Sequence, residues 1–399
     1  MWLAILLAPA ELVAATSAPT FYRDVLPVLQ AHCQECHRPG EVAPMPFLTY
    51  SQVRPWAKAI RTAVTARKMP PWFADPCCGK FSNDRSLSAA ERETLANWAE
   101  TGATQGDPHD APPPRAWLDG WNLPQTPDKI LGMAHAFEVP AQGAVEYQYF
   151  IVPTRFTTDR WVTAAEVRPG NRAVVHHIVV YIREPGDTWS HGATKNDMLT
   201  IYTPGSTPDL LPPGMAKFIK AGSDLVFEIH YTPNGKRTAD LTQVGMVFAA
   251  SPPQKRVLTL QMTNGTFIIP PGDPDYRATV WGTLPNDALL LGFFPHMHLR
   301  GKAFEYTRIR EDGQPETLLR VSPYDFYWQL SYRLAKPMPL TKGTRLEWIG
   351  HFDNSANNPR NPDPKAEVRY GEQSWEEMMV GFFDVAVDAQ VDKNAFFVR

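Results

Sequence analysis

Four cysteines in 399 residues leave little room for sulfur chemistry, and their placement narrows it further. Cys33 and Cys36 make one Cys-x-x-Cys pair, and no second pair exists to complete a zinc cluster. Cys77 and Cys78 are neighbours, so an ordinary disulfide between them is strained; free thiols, a vicinal disulfide and a bond to another chain stay open. A basic excess is also missing. The net charge of -3 and pI near 6.4 give no basic patch to explain, which argues against a nucleic-acid partner. No stretch reaches the ~20 apolar residues of a transmembrane helix, and there is no repeat or low-complexity block.

Proline, by contrast, is abundant. The 39 prolines are about twice the usual share, which favours many short strands joined by proline-bearing turns over a helical bundle. At 399 residues the chain is too long for one ordinary core and predicts two or three domains, which a hydrophobic content of 43% can fill. Trp2 to Ala8 is a short apolar run followed by small residues, so residues 1–18 read as an export signal cleaved after Ala15 or Ala18. No Lys or Arg precedes the run and Glu11 interrupts the stretch, which leaves a buried first helix as the alternative.

Cys33-Gln34-Glu35-Cys36-His37 is the most specific local signal. Two thiols three residues apart on a helical turn can take both vinyl groups of a haem, and the histidine that follows falls beneath the iron. Half a zinc site or a redox Cys-x-x-Cys explains the adjoining His37 less well. Haem c is attached on the far side of the cytoplasmic membrane, so the motif also argues for a periplasmic or secreted protein. A small all-α cytochrome c domain is expected over residues 19–106. Its helices run from Phe21 to His37, from Ser51 with Val53, Trp56, Ile60 and Val64 on one stripe, and from a capping box at Ser88-Ala89-Ala90-Glu91. Met69, in Lys68-Met69-Pro70-Pro71-Trp72, is the choice for sixth ligand, because prolines hold the loop that presents the thioether. Met45 competes, and a core methionine is the bland alternative for either.

Residues 107–129 are rich in Pro, Asp and Ala and read as a linker. The period then changes. Short runs rich in β-branched and aromatic residues recur at 147–152, 161–167, 174–182, 225–231, 244–249, 257–262, 278–282, 288–294, 304–309, 344–349 and 380–387. Strands at this spacing without long helices predict two antiparallel, jelly-roll-like β-sandwiches, over residues 130–264 and 265–399.

Three of the histidine placements stand out. In Phe294-Pro295-His296-Met297-His298 the two imidazoles lie two residues apart at the end of an apolar run, so on a strand they leave the same face and can reach one metal. His176 and His177 are neighbours in a β-branched run; sharing a metal requires a bulge, a strand end, or rings bent back to bind through Nδ1. His230 stands alone on a strand, where a hydrogen-bonded sheet residue is the ordinary expectation.

Together these placements resemble the copper type II monooxygenases, the family of peptidylglycine alpha-hydroxylating and dopamine beta-monooxygenase. The resemblance covers roughly residues 130–387 and rests on His176-His177, His230-Tyr231, His296-Met297-His298 and Glu376-Glu377-Met378, in that order. It implies that His176, His177 and His230 bind an electron-transfer copper, and that His296, His298 and Met378 bind a second copper where dioxygen reacts. It also implies two sandwich domains facing across a solvent-filled cleft. Met379 is the neighbour passed over for Met378, and Glu376 and Glu377 are expected to support the methionine loop.

Departures from the family are equally informative. Positions where the peptide-processing member holds a carboxylate, by arginine and tyrosine, are Phe294 and Phe382 here. A carboxylate facing two phenyl rings loses hydration and hydrogen bonds, so the expected substrate is a small molecule with an apolar or aromatic C–H bond beside Phe294 and Phe382. Dioxygen is the expected oxidant. A periplasmic donor is expected to feed electrons through the haem. The rival readings are a haem and copper electron-transfer protein without a substrate, and a copper- or carbohydrate-binding sandwich with a degenerate site.

Overall fold

The computed structural model describes residues 18–118, 120–187 and 197–393. The expected export signal therefore lies, but for Ala18, outside the described residues. Two compact units emerge. One comprises the described residues up to Pro39 with Ala43–Pro70 and Ser86–Arg115, and the other Gly40–Val42, Pro71–Arg85 and the described residues from Ala116.

The first unit is helical. A π-turn at Phe21–Val25 leads into a helix at Leu26–His32. That helix stops five residues earlier than the sequence predicts, and Cys33 to His37 follow as a turn closed by the His37 N–H on the Cys33 carbonyl at 2.9 Å. Thr49 and Gln52 form a capping box for Tyr50–Val53, Pro55 interposes a 3-10 turn at Arg54–Trp56, and a helix continues over Ala57–Thr65. The tighter turn rotates Trp56 off the expected stripe, leaving it 40% exposed while Val53, Ile60 and Val64 are buried. Ser88 caps Ala89–Glu100 as expected, its hydroxyl accepting from the Glu91 N–H at 3.2 Å and Glu91 reaching back to the Ser88 N–H at 2.8 Å. Phe21, Leu29, Leu95 and Trp98 close the core.

The second unit is β-structure. Its Pro71–Arg85 segment, expected in the helical domain, instead bridges two strands of the sandwich region at Ala74–Val321 and Phe81–Leu334. Cys77 and Cys78 are disulfide-bonded to each other there. The supposed linker is also partly folded: Leu123 packs with Ala164 and Val247, the Asn122 N–H donates to Glu166 at 2.6 Å, and a strand begins at Lys129.

Two sandwiches follow. In the first, a sheet ordered Lys129–Gly132, Gln243–Phe248, Arg160–Arg168, Met215–Ile219 faces one ordered Gln148–Pro153, Asp224–Tyr231, Val175–Arg183, Asp197–Tyr202. Val162, Val244 and Met246 from one sheet and Ile178, Val180 and Phe227 from the other fill the space between. In the second, Lys255–Thr263, Val380–Asp388, Ala288–His296, Tyr332–Leu340 face Tyr276–Thr283, Arg345–Phe352, Gly301–Ile309, Pro315–Val321, around Leu290, Phe293, Phe304, Trp348 and Phe383.

All eleven strands read from the sequence are present. One changes sides: Lys255–Thr263, expected to end the first sandwich, pairs with Val380–Asp388 and sends Leu258 and Met262 into the second core. The sandwiches also share a sheet, joined by a parallel contact of Met215–Ala216 with Lys255–Arg256.

Strand Val175–Arg183 is buried on both faces. Ile178, Val180 and Ile182 point into their own core, while Val179 and Tyr181 meet Phe294, Val380 and Phe382 of the second sandwich. Close packing extends into the strand that carries those last two residues. A Cβ at Gly381 would stand 2.6 Å from Trp348 Cδ1 and 3.1 Å from Phe304 Cζ. Gly381→Ala is therefore expected to destabilise the protein by about 1–3 kcal/mol, read as a lower midpoint in chemical denaturation.

Candidate metal centre

His177 stands opposite His230 on neighbouring strands, and the register slips between Val175 and His177 so that His176 is the extra residue of a bulge. This irregularity lets adjacent histidines turn to one side. Their Nδ1 atoms approach to 3.1 Å. With His230 the three ring centres form a nearly equilateral triangle of 5.3, 5.3 and 5.2 Å. The centre of such a triangle is about 3 Å from each ring centre, the distance expected for a metal bound ~2.0 Å from a ring nitrogen. One ligand atom from each ring lies within 4.8 Å of the others. His176 Nε2 and His230 Nδ1 are buried without hydrogen-bond partners. The three residues thus fit a metal ion.

On the second sandwich, His296 and His298 leave the same face of their segment with ring centres 5.2 Å apart, while Met297 between them is fully buried in the core. His298 Nδ1 is buried without a partner. Met378 sits beside the apolar cluster between the sandwiches, whereas Met379 belongs to the core, so the two methionines face opposite ways. His296, Met378 and His177 line one cavity of about 300 Å³.

Gln329 and Phe326 support the site without having been visible in the sequence, whereas Glu377 supports the methionine segment as expected. Gln329 Oε1 accepts from His296 Nδ1 at 2.7 Å, and its amide donates to the Phe326 carbonyl at 3.2 Å, which fixes which end faces the ring. The proton is thereby held on Nδ1 and the lone pair on Nε2. Phe326, three residues earlier, stacks on His176 at 4.5 Å. Glu377, fully buried, accepts from the backbone N–H groups of His298 at 2.9 Å, Arg300 at 2.5 Å and Met378 at 3.3 Å. One carboxylate ties the histidine segment to the methionine segment. Arg300 braces it, donating to Asn354 at 2.7 Å and to the Trp375 carbonyl at 2.8 Å.

Burial keeps these imidazoles neutral. It brings His176 down to about 3 and His230 and His296 to about 4, with His177 and His298 well below the ordinary histidine value. Repulsion from neighbouring imidazoles adds to burial in every case but His296, where the Gln329 hydrogen bond opposes it. Neutral rings are the form a metal requires.

Phe294 and Phe382 line the same cavity with ring centres 5.9 Å apart. The lining also carries polar groups. Glu228 lies there with Tyr149 and Tyr181 in hydrogen-bond contact, and burial, then the Glu372 charge, push it up to about 7. The wide cleft implied by the family resemblance is not what separates the two histidine sets, since the His177 and His296 rings are 5.9 Å apart.

In the helical unit, His37 stacks on Phe47 at 4.1 Å, and its Nδ1 donates to the Met45 carbonyl at 3.1 Å, leaving Nε2 as the available ligand atom. Met45 is thereby engaged on the Nδ1 side of that ring. Burial, with Cys36 beside it, pushes the Cys33 thiol up to about 12. Met69 is half-buried outside the helical core, and Met45 packs against that core.

No family model and no curated protein matches the chain. Among solved structures, the major capsid protein P2 from bacteriophage PM2 is similar over 67% of this chain and 98% of its own, at 8% identity and a TM-score of 0.29. The N-terminal CBM22-1-CBM22-2 tandem domain from Paenibacillus barcinonensis Xyn10C is similar over 65% and 93%, at 11% identity and a TM-score of 0.18. Likenesses this slight carry nothing about function.

The depressed histidines fix the sign of a pH effect. Above pH 6.5 folded and unfolded rings are both neutral; below it the unfolded rings take up protons that the folded ones refuse until about pH 4 or 3. Metal-free protein should lose stability steadily from pH 6.5 towards 4, and His177→Phe should flatten that slope in denaturation curves. Gln329→Leu should weaken metal binding at the His296 site about 10–100-fold while leaving the fold intact, read by competition titration.

Proposed function

We propose that this chain is a copper-dependent monooxygenase that hydroxylates a C–H bond of a small molecule with dioxygen, its electrons entering through a haem c at Cys33, Cys36 and His37. The observation that carries this reading is the triangle of neutral imidazoles at His176, His177 and His230, adjoining a small cavity shared by His296, Met378, Phe294 and Phe382. His176, His177 and His230 would hold one copper and His296, His298 and Met378 the other. Imidazole suits copper in both oxidation states and a thioether favours Cu(I). Bound copper would supply one-electron storage and dioxygen activation.

The protein's own residues do the rest. Hydroxylation takes one dioxygen, two electrons and two protons per C–H bond and releases one water, so two one-electron stores match one turnover. Gln329 presents His296 in a single tautomer, and Glu377 keeps the His298 and Met378 segments in register. Phe294 and Phe382 give the cavity apolar surface, while the polar groups of Tyr149, Tyr181 and Glu228 in the same lining can orient a substrate. A cavity of about 300 Å³ suits a small molecule.

In the helical unit, the His37 Nδ1–H bond to the Met45 carbonyl leaves Nε2 free, so that His37 would hold a haem iron, with Met69 as the proposed second ligand. This reading carries with it a periplasmic or secreted location. No helix among the described residues is long and apolar enough to cross a membrane.

Metal analysis with a pyridine haemochrome spectrum is expected to give two coppers and one haem per chain, and a substrate panel to give hydroxylated product with dioxygen uptake. A loaded protein that consumes no dioxygen over a broad panel would leave the electron-transfer reading instead. Phe382→Ala should raise KM about tenfold or more by removing a buried ring contact. An unchanged KM and kcat would remove the cavity as the substrate site.

A further inference from the structure

Five imidazoles from both sandwiches, four of them buried and that of His230 half-buried, form one continuous cluster. His177 belongs to the triangle with His176 and His230, and its ring also meets His296 edge to face, 5.9 Å between centres at 76°. His296 in turn pairs with His298 at 5.2 Å. Phe326 fills the other approach, stacked on His176 and edge-on to His298 at 6.3 Å. The two donor sets are thus in direct ring contact.

We infer that the two sets form a single five-histidine chamber in which copper ions bind against each other, with strong mutual penalty in the cupric state and a much weaker one in the cuprous state. This rests on the copper reading above. A metal on each set lies about 3 Å from its ring centres, so the ions are at most about 12 Å apart, and closer in any arrangement not on one line through both rings. All six donors, five imidazoles and the Met378 thioether, are uncharged. Two carboxylates of this region are engaged elsewhere: Glu377 accepts from three backbone N–H groups and Glu228 is in contact with tyrosine hydroxyls.

Nothing in the donor set therefore offsets the ions' own charge. The repulsion scales with the product of charges, four for two Cu(II) and one for two Cu(I). At about 12 Å even bulk water would leave two dications disfavouring each other roughly tenfold and two monocations roughly twofold. A buried chamber strengthens both and keeps the logarithms in a ratio near four. The consequence is a centre that fills with two ions most readily when both are reduced.

The test is a binding cycle on the full chain, haem included. Copper affinities are measured by anaerobic competition with a chelator, separately for Cu(I) and Cu(II), in the wild type, in His298→Ala, which leaves the triangle, and in His230→Ala, which leaves the second set. Gln replacements at the same positions serve if an Ala variant fails to fold by circular dichroism. The two-ion constant of the wild type is expected to fall below the product of the single-site constants by more than tenfold for Cu(II), and by about the fourth root of that factor for Cu(I). The spectrum of wild type loaded with two Cu(II) should be dipolar-broadened relative to the two single-site spectra. Additive binding in both oxidation states, or an equal penalty in both, overturns the inference while leaving the copper reading standing. Absence of copper binding in all three proteins overturns the copper reading itself.

Discussion

The arrangement depends on one irregularity, the extra residue at His176 in strand Val175–Arg183. On a regular strand, neighbouring side chains leave opposite faces, and one of the two imidazoles would be lost to the core. The bulge turns both to one side, and pairing with Asp224–Tyr231 brings His230 directly opposite His177. Burial of that strand on both faces does the remaining work. It removes the water that would otherwise solvate a protonated ring, and it presses the His177 side against the second sandwich.

The second sandwich answers with a different device. Its histidines need no bulge because they stand two residues apart, but their segment and that of Met378 come from distant parts of the chain. Glu377 joins them through three backbone donors, which together with the Arg300 charge oppose the burial that pushes its carboxyl up to about 8. The loop carrying Phe326 and Gln329 reaches both sets, stacking on one histidine and hydrogen-bonding another. Thr203 of the first sandwich donates to the Gln329 carbonyl, so this loop is held from both sides.

Much of this was legible in the sequence, and the reasons are specific. Spacing alone put His296 and His298 on one face, and β-branched runs marked eleven strands. The bulge at His176 was named only as one condition for ligation, because no local residue type demands it. Strand Tyr332–Leu340 escaped notice since Pro337 and Pro339 interrupt it, which only an edge position tolerates. The side taken by Lys255–Thr263 depends on its pairing with a strand more than a hundred residues away. Gln329 and Phe326 lie in a loop, where side-chain partners follow from tertiary packing and leave no periodic trace. Family resemblance implied an open cleft; the ring contact between His177 and His296 is a property of the assembled sandwiches.

The sheet that runs through both sandwiches, eight strands in line with Asp209–Leu210 branching from Arg160–Arg168, ends at one side in the four-residue strand Lys129–Gly132 and at the other in the proline-bearing Tyr332–Leu340. Such a long ladder would invite further copies of the chain to add on and polymerise. A stub carrying a lysine at one margin, and at the other two prolines beside the Phe81–Leu334 bridge that already occupies part of the edge, deny a newcomer the continuous row of partners it would need.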